Sequence, residues 1–232
     1  MERIKEEEAF FSSAAHELRT PLTVIRMTAA LLKDKFETLG HDKVTEYLRR
    51  MDETGEQLVK LVNDFLNISR IDQGRLVVTR ESFDIIALTD EAINDLKLLA
   101  KERHLSIDHD PACDSRTVWG DRTKAKEVLT NLLSNALKYT IQGGITVTHG
   151  VQNGMLATKV TDTGAGIPEE YQPLLFKRFQ QIGEAHRQAS SKSSGLGLYI
   201  SKKFALLMHG NLILEKSEPN KGSTFTFTLP IQ

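Results

Sequence analysis

Two stretches of the chain repeat apolar residues at alternating steps of four and three, the spacing of helices that pack side by side. In the first stretch the repeating positions are Phe11, Ala15, Leu18, Leu22, Ile25, Ala29, Leu32 and Phe36. In the second stretch they are Val44, Tyr47, Leu48, Met51, Gly55, Leu58, Val62 and Phe65. The spacing predicts two long helices, each with an apolar stripe that other helices must cover.

A short connection joins the two helices, so we expect an antiparallel hairpin. The first helix is expected to end near Thr38, with Gly40 in the left-handed conformation and Asp42 capping the next helix. Because a two-helix hairpin cannot cover both stripes alone, a homodimer with a four-helix bundle is predicted. The heptad spacing already holds at the start of the chain, so we expect a longer protein whose sensor domain lies upstream.

The apolar pattern changes to period two near residue 73, which divides the chain into residues 1–73 and residues 74–232. Strands are predicted in LVVTRESF, LSIDHD, TVWG, GGITVTHG, MLATKVTD, NLILEKS and STFTFTLPI. Helices are predicted after Asp84 and Asp121, in PEEYQPLLFKRF and in GLGLYISKKFALLMHG. The predicted fold class is therefore α+β: a helical hairpin that forms a dimeric four-helix bundle, followed by a domain of helices layered on a sheet.

Composition excludes several classes of protein. The chain has 30 basic and 31 acidic residues, and they are interspersed, so no basic block indicates binding to nucleic acid or to a membrane surface. No apolar run approaches the length of a membrane span, and the polar start is no signal peptide. Cys113 is the single cysteine. We expect a cytoplasmic chain, and attachment of the full-length protein to a membrane stays open.

The sequence HELRTPL, from His16 to Leu22, is unusual inside a helix of this kind. His16 follows a position of the apolar stripe, so its ring is expected at the edge of the stripe, in reach of water. Thr20 lies four residues on and shares the face of His16, and Glu17 lies beside them. Pro21 removes an N–H group and predicts a kink. A solvated histidine beside a hinge indicates a site that moves, although a lone helical histidine is more often an ordinary surface residue.

Two asparagines and a lysine lie near the end of the helix that follows Asp121. Asn131 and Asn135 are four residues apart and therefore share one face, and Lys138 follows. An amide oxygen suits Mg²⁺, and a lysine can hold a phosphate as a point charge. Exposed asparagines are also common without any function, so this signal alone is weak.

Two glycine-containing stretches complete the pattern. In DTGAGI, Asp162 ends a strand, and its carboxylate could accept the exocyclic amine of adenine, while Gly164 and Gly166 allow close approach of the backbone; a tight turn would equally explain them. In SGLGLYISK, Gly195 and Gly197 open a helix whose free N–H groups suit a triphosphate. The stretch FKRF contains Phe176 and Phe179, which are as compatible with plain core packing as with a functional role, and an irregular polar loop separates it from SGLGL.

In this order, the stretches resemble the catalytic half of bacterial sensor histidine kinases of two-component systems, over nearly the whole chain. HELRTPL is similar to the phosphoacceptor box of that family, and NLLSNALKYT to its asparagine box. DTGAGI and SGLGL are similar to its two glycine boxes, and FKRF to its phenylalanine box. The resemblance implies a histidine kinase whose ATP-binding domain has the gyrase and histidine-kinase type of α/β sandwich.

The resemblance also implies roles for individual residues. His16 would accept the phosphoryl group from ATP, Glu17 would orient the imidazole and take its proton, and Thr20 would position water for dephosphorylation of a partner. The phosphoryl group would pass to an aspartate of a response-regulator receiver domain. Asn135 would bind Mg²⁺ with help from Asn131, and Gln180 to Ser194 would form a lid over ATP. The implied nucleotide site consists of Asn131, Asn135, Lys138, Tyr139, Asp162, Gly164, Gly166, Ile167, Arg178, Gly195, Leu196 and Gly197.

Some positions depart from the family pattern. Ser193 stands where a further glycine is usual, and Gln180 and Gln181 replace the usual aromatic and basic pair. The cation that meets the γ-phosphate therefore stays open among Arg178, Arg187 and Lys192. Two alternatives stay open with it: an ATPase of the same fold that drives clamping, and a nucleotide-binding dimeric scaffold without histidine transfer.

Overall fold

The computed structural model describes residues 2–113, 115–180 and 195–232, with side chains from residue 13 onward. The chain divides into two compact units, Met1–Arg75 and Leu76–Gln232. The first is a helical hairpin and the second is an α/β sandwich, so the predicted fold class is confirmed. Among the described residues, no helix combines the length and the apolar character that crossing a bilayer requires.

The hairpin consists of α1, Glu2–Lys35, and α2, His41–Asp72. Ala14 on α1 and Ile68 on α2 are buried, together with Thr54. A second set of large apolar side chains is left exposed: Leu22, Met27, Phe36, Leu48, Val59, Val62 and Leu66. A single hairpin therefore covers only part of its apolar surface, as the heptad pattern requires of a helix pair that packs against further helices.

The connection between α1 and α2 differs from the sequence prediction. Helix α1 ends at Lys35, whose carbonyl accepts hydrogen bonds from the N–H groups of Thr38 and Leu39. Gly40 has φ −64° and ψ 154°, so the expected left-handed conformation is wrong. Gly40 is itself the N-cap of α2, and no side chain caps the helix, so the predicted cap at Asp42 is wrong too. Asp42 lies in the first turn, where its charge still favours the positive helix end.

Helix α2 is terminated by a glycine in the left-handed conformation, which is the conformation that was predicted for Gly40. Gly74 has φ +64°, its N–H donates to the carbonyl of Ile71, and the N–H of Arg75 donates to that of Arg70. This pair of bonds is a Schellman motif, in which a residue without Cβ adopts the left-handed conformation at little cost. The long helix therefore stops at a defined point.

Within its described residues, the second unit contains a five-stranded mixed sheet with the strand order β2-β4-β5-β7-β6, and three α-helices. Strands β2 and β4 are parallel, and the other pairs are antiparallel. The sheet strands are β2 Ser106–Asp110, β4 Gly144–Gln152, β5 Met155–Asp162, β6 Asn211–Glu218 and β7 Gly222–Pro230. The helices are α3 Ile85–Glu102, α4 Arg122–Tyr139 and α5 Gly197–Leu207. A small antiparallel pair, β1 Glu81–Asp84 with β3 Thr117–Gly120, completes the unit.

Aspartates cap two of these helices, as predicted. Asp84 Oδ1 accepts hydrogen bonds from the N–H groups of Ile86 and Ala87. Asp121 Oδ1 accepts from the N–H of Lys124, and its Oδ2 accepts from the N–H of Thr79, which ties the start of the unit to α4. Each cap satisfies helical N–H groups that have no partner within the helix.

Two predicted elements are shorter than expected. LVVTRESF forms a strand only over Glu81–Asp84, because its partner β3 is just as short, and the preceding residues are irregular. PEEYQPLLFKRF contains a 3-10 helix over Glu169–Leu174 rather than an α-helix. Pro173 lacks the N–H group that a continuing helix would use, which favours this short element.

A chain of hydrogen bonds crosses one side of the sheet. Asp90 Oδ1 lies 2.7 Å from His109 Nδ1, and the Nε2 atoms of His109 and His149 are 2.9 Å apart. Thr158 Oγ1 lies 3.1 Å from Nδ1 of His149. When both rings are neutral, Asp90 fixes the tautomers: His109 Nδ1–H donates to it, and His109 Nε2 then accepts from Nε2–H of His149. The bond between the rings therefore requires that the two histidines do not both carry a charge.

The network gives a pH dependence of stability. Burial, and then His109, lowers the pKa of His149 to about 4 from 6.5, against the opposing effect of Asp90 and other nearby carboxylates. The unfolded chain therefore takes up this proton at higher pH than the folded chain, so stability falls as the pH drops from about 6.5 toward 4. We expect His149 to account for about 2 kcal/mol of this fall, which is less than the full pKa shift would give because water still reaches part of the ring.

Urea unfolding of the wild type and of His149→Gln between pH 7.5 and 4.5 measures this contribution. The difference in unfolding free energy between the two proteins should decrease as the pH falls. A difference that stays constant over this range would contradict the assignment.

Candidate active site

The predicted phosphoacceptor residues lie on α1 of the hairpin. His16 is exposed, and Glu17 next to it is half-buried. Burial raises the pKa of the Glu17 carboxyl, and the neighbouring His16 partly offsets this effect. The Thr20 hydroxyl donates to the carbonyl of His16 at 3.3 Å, so the threonine lies one turn from the histidine on the same face. Pro21 is buried within the helix. The arrangement presents an imidazole to solvent with an acid of raised basicity beside it.

Asn131 joins α4 to α5. Its Nδ2 donates to Ser201 Oγ at 3.0 Å, and Ser201 is buried. A Cβ atom at Gly197 would clash with Oδ1 of Asn131, so glycine at the start of α5 allows the two helices to meet here. Asn131 therefore fixes the N-terminal part of α5. No side chain among the described residues caps this end of the helix, so its first N–H groups are free.

Asn135 and Lys138 lie one turn further along α4. Asn135 is half-buried and shares the face of Asn131. The Lys138 Nζ atom is buried and lies 5.1 Å from the centroid of the Tyr139 ring. The carbonyl of Tyr139 accepts a hydrogen bond from the N–H of Ala165, which joins the end of α4 to the DTGAGI loop. The asparagine face and the first glycine stretch are therefore neighbours.

Asp162 ends β5 and is buried. Its Oδ1 accepts hydrogen bonds from the N–H groups of Gly164 at 2.8 Å and Ser223 at 3.3 Å. Burial raises the pKa of this carboxyl, and the two backbone hydrogen bonds oppose the effect. Within the described residues Oδ2 makes no hydrogen bond, so one oxygen of this mostly buried carboxyl is available to a donor such as an exocyclic amine, while the bonds to Oδ1 orient the group.

The two glycines after Asp162 allow close packing. A Cβ atom at Gly164 would clash with the carbonyl of Tyr139. Gly166 has φ +65°, and a Cβ there would clash with the carbonyl of Glu218. Ile167 is buried, and its N–H donates to Ser217 Oγ at 2.8 Å. The loop is thus held against α4 on one side and β6 on the other.

Arg178 and the start of α5 form the remaining edge of the site. Arg178 Nη2 donates to Tyr199 Oη at 2.7 Å. Gly195 has φ +66°, the Leu196 side chain is fully buried, and α5 begins at Gly197. Leu196 therefore anchors the start of α5 in the core. The lid predicted for Gln180 to Ser194, with Gln181, Arg187, Lys192 and Ser193, lies outside the described residues apart from Gln180.

Sequence reasoning missed three residues of this site: Ser201, Ser223 and Tyr199. Ser201 lies one turn after Gly197, and a polar residue on that helix face was the only available signal. Ser223 reaches Asp162 across a separation of 61 residues, which no local pattern indicates. Among the described residues no group of three or more His, Cys, Asp or Glu side chains could hold a metal ion.

Comparison with known proteins finds two domain families in the chain. Residues 6–74 match the His Kinase A (phospho-acceptor) domain, and residues 120–232 match the histidine kinase-, DNA gyrase B- and HSP90-like ATPase family. The circadian input-output histidine kinase CikA of Thermosynechococcus vestitus is 37% identical over 98% of the chain, which covers 31% of that protein. The chain thus spans about a third of the length of this curated relative.

Solved structures agree as well. Full-length ShkA in complex with AMPPNP is 26% identical, with a TM-score of 0.69 over 97% of this chain and 45% of that one. The histidine kinase ThkA, in complex with the response regulator TrrA, has a TM-score of 0.74 at 24% identity, over 100% of this chain and 64% of that one. With both domains present in the expected order, the chain belongs to the sensor histidine kinases and contains their catalytic portion.

Proposed function

We propose that this chain phosphorylates His16 from ATP and passes the phosphoryl group to an aspartate of a response-regulator receiver domain. The observation that carries the proposal is exposed His16 next to half-buried Glu17, on the helix of a phospho-acceptor domain. A neutral imidazole offers a lone pair to the γ-phosphorus, and Glu17 takes up the Nδ1 or Nε2 proton that attack makes acidic. ADP leaves as the P–N bond forms.

ATP binds to the second unit in this proposal. The free Oδ2 of Asp162 accepts the amine of adenine, and Gly164 and Gly166 let the loop approach the ring. The uncapped N-terminus of α5 and the Lys138 ammonium would bind the phosphates. The AMPPNP complex of ShkA, a relative of the same fold, supports nucleotide binding at such a site.

Magnesium fits the residues present. Asn135 is the proposed ligand, because it is half-buried and lies on the same face as Asn131, whose amide nitrogen is already bonded to Ser201. The ion would neutralise charge on the phosphates and so favour phosphoryl transfer. Asn131 supports Asn135 by fixing α4 against α5.

The partners follow from the hairpin and from the relatives. The exposed apolar side chains of the hairpin support a homodimer in which two hairpins form a four-helix bundle. The complex of ThkA with TrrA supports a receiver domain as the acceptor. Thr20, bonded to the His16 carbonyl, would position water when the same protein dephosphorylates its regulator. The boundary between the two domains is proposed at residues 73 and 74, because Gly74 terminates α2. The chain is proposed to act in the cytoplasm, where ATP is available.

Incubation of the chain with γ-labelled ATP and Mg²⁺ tests the proposal. The label should be labile in acid, stable in alkali, and located by peptide mapping on the peptide that contains His16. A receiver domain added to the labelled chain should then remove the label. Bound nucleotide without any protein label would instead favour the scaffold, and release of phosphate without label would favour an ATPase.

A further inference from the structure

Arg178 is held by a tyrosine of the neighbouring helix through two contacts. Its Nη2 donates to Tyr199 Oη at 2.7 Å. Its guanidinium carbon lies 4.7 Å from the centroid of the Tyr199 ring. A hydroxyl bond and a cation–π contact together restrict a side chain that otherwise has many rotamers.

Tyr199 places its contact with Arg178 at the start of α5. Tyr199 lies in the first turn of α5, two residues after Gly197. That end of α5 has uncapped N–H groups and the positive end of the helix dipole, and Asn131 and Ser201 fix it against α4. The Lys203 Nζ atom lies 5.5 Å from the same tyrosine ring. Two cations therefore gather around one ring at the helix end that favours anions.

We propose that Tyr199 is a positioning residue that holds Arg178 toward the terminal phosphate of ATP. The proposal rests on the proposed function, namely that this unit binds ATP with its phosphates at the start of α5. A guanidinium presents five N–H donors in a planar fork that matches the oxygens of a phosphate, and the bond to Tyr199 Oη restricts how this fork is oriented. A side chain fixed before the nucleotide arrives loses less freedom when it binds phosphate oxygens.

The contact between Tyr199 and Arg178 should strengthen binding only of nucleotides that have a third phosphate. Tyr199→Phe keeps the ring and removes the hydroxyl that orients Arg178. We expect the affinity for a non-hydrolysable ATP analogue to fall about fivefold, and the affinity for ADP to change less than about twofold. Calorimetric titration of the full chain with each nucleotide and Mg²⁺ measures both affinities without any turnover.

A double-mutant cycle separates positioning from general damage. Arg178→Gln should show the same selective loss for the ATP analogue, and Arg178→Gln with Tyr199→Phe should lose no more than Arg178→Gln alone. Tyr171→Phe is the matched control: its hydroxyl makes no hydrogen bond within the described residues, and it should leave both affinities unchanged.

Equal weakening of ADP and of the ATP analogue in Tyr199→Phe would overturn the proposal, and so would additive losses in the double variant. Either result would mean that Tyr199 only supports the packing of α5. Failure of the proposed function looks different, because the wild type would then bind neither nucleotide, or would bind both and leave His16 without label.

Discussion

Asn135→Ala is expected to lower the rate of His16 phosphorylation at least about a hundredfold while the protein stays folded. Asn135 is the proposed ligand that holds Mg²⁺ against the triphosphate. Removal of its amide leaves the negative charge of the phosphates without a fixed counter-ion, and this charge opposes attack by the imidazole. Initial rates of labelling from γ-labelled ATP, over a range of Mg²⁺ concentrations, measure the effect.

The position of Asn135 makes the substitution informative. The side chain is half-buried rather than part of the core, and the link between α4 and α5 runs through Asn131 and Ser201 instead. Alanine also favours helix at this position, so the fold should tolerate the change. A loss of rate should therefore come from the lost ligand and not from a displaced α5.

Asn94→Ala is the matched control, because Asn94 is an exposed asparagine in the interior of α3. This variant should phosphorylate His16 at the rate of the wild type. Rates of Asn135→Ala that equal those of the control would refute the ligand role. A rate that recovers at high Mg²⁺ concentration would agree with it, since weaker binding is then overcome by mass action.

Regular periodicity allowed most of the elements to be predicted from sequence. Long heptad stretches indicate helices whatever their partners are, and alternation over β4, β5 and β7 indicated strands with one face buried. The caps at Asp84 and Asp121 were predicted because an aspartate before an apolar helical pattern acts locally.

The errors have two causes, one local and one that depends on contacts far along the chain. Gly40 follows a helix as a left-handed glycine would, yet its own carbonyl accepts the N–H groups of Lys43 and Val44 and so begins α2. The strand predicted in LVVTRESF is limited by the length of β3, which lies more than thirty residues away. Local sequence does not carry this second constraint.

In the candidate site too, some residues could be predicted from local sequence and others could not. Asp162 and the glycines beside it were predicted from a short motif, and the geometry explains each of them by a hydrogen bond or by lack of space for a Cβ atom. The contacts made by Ser223 and Tyr199 come from separate elements, so only the folded chain brings them to the site.

Glu17→Gln is expected to slow phosphorylation of His16 about a hundredfold and to leave the affinity for ATP unchanged. Glutamine has nearly the shape of glutamate but cannot accept a proton or stabilise the positive charge that attack creates on the imidazole. Burial raises the pKa of the Glu17 carboxyl, which makes it a stronger base than an exposed glutamate. The wild-type rate should therefore decline as the pH falls through this raised pKa, and Glu17→Gln should lose that part of the decline.

Glu46→Gln, an exposed glutamate on α2, is the matched control and should keep the wild-type rate. Nucleotide affinity separates the two possible causes of a slow variant, since Glu17 belongs to the hairpin unit and the ATP-binding residues to the other. A slow variant with unchanged affinity and a flattened pH profile is the signature of a lost base. Weaker binding of ATP in Glu17→Gln, or a wild-type rate, would remove Glu17 from the chemistry and leave it as a structural neighbour of His16.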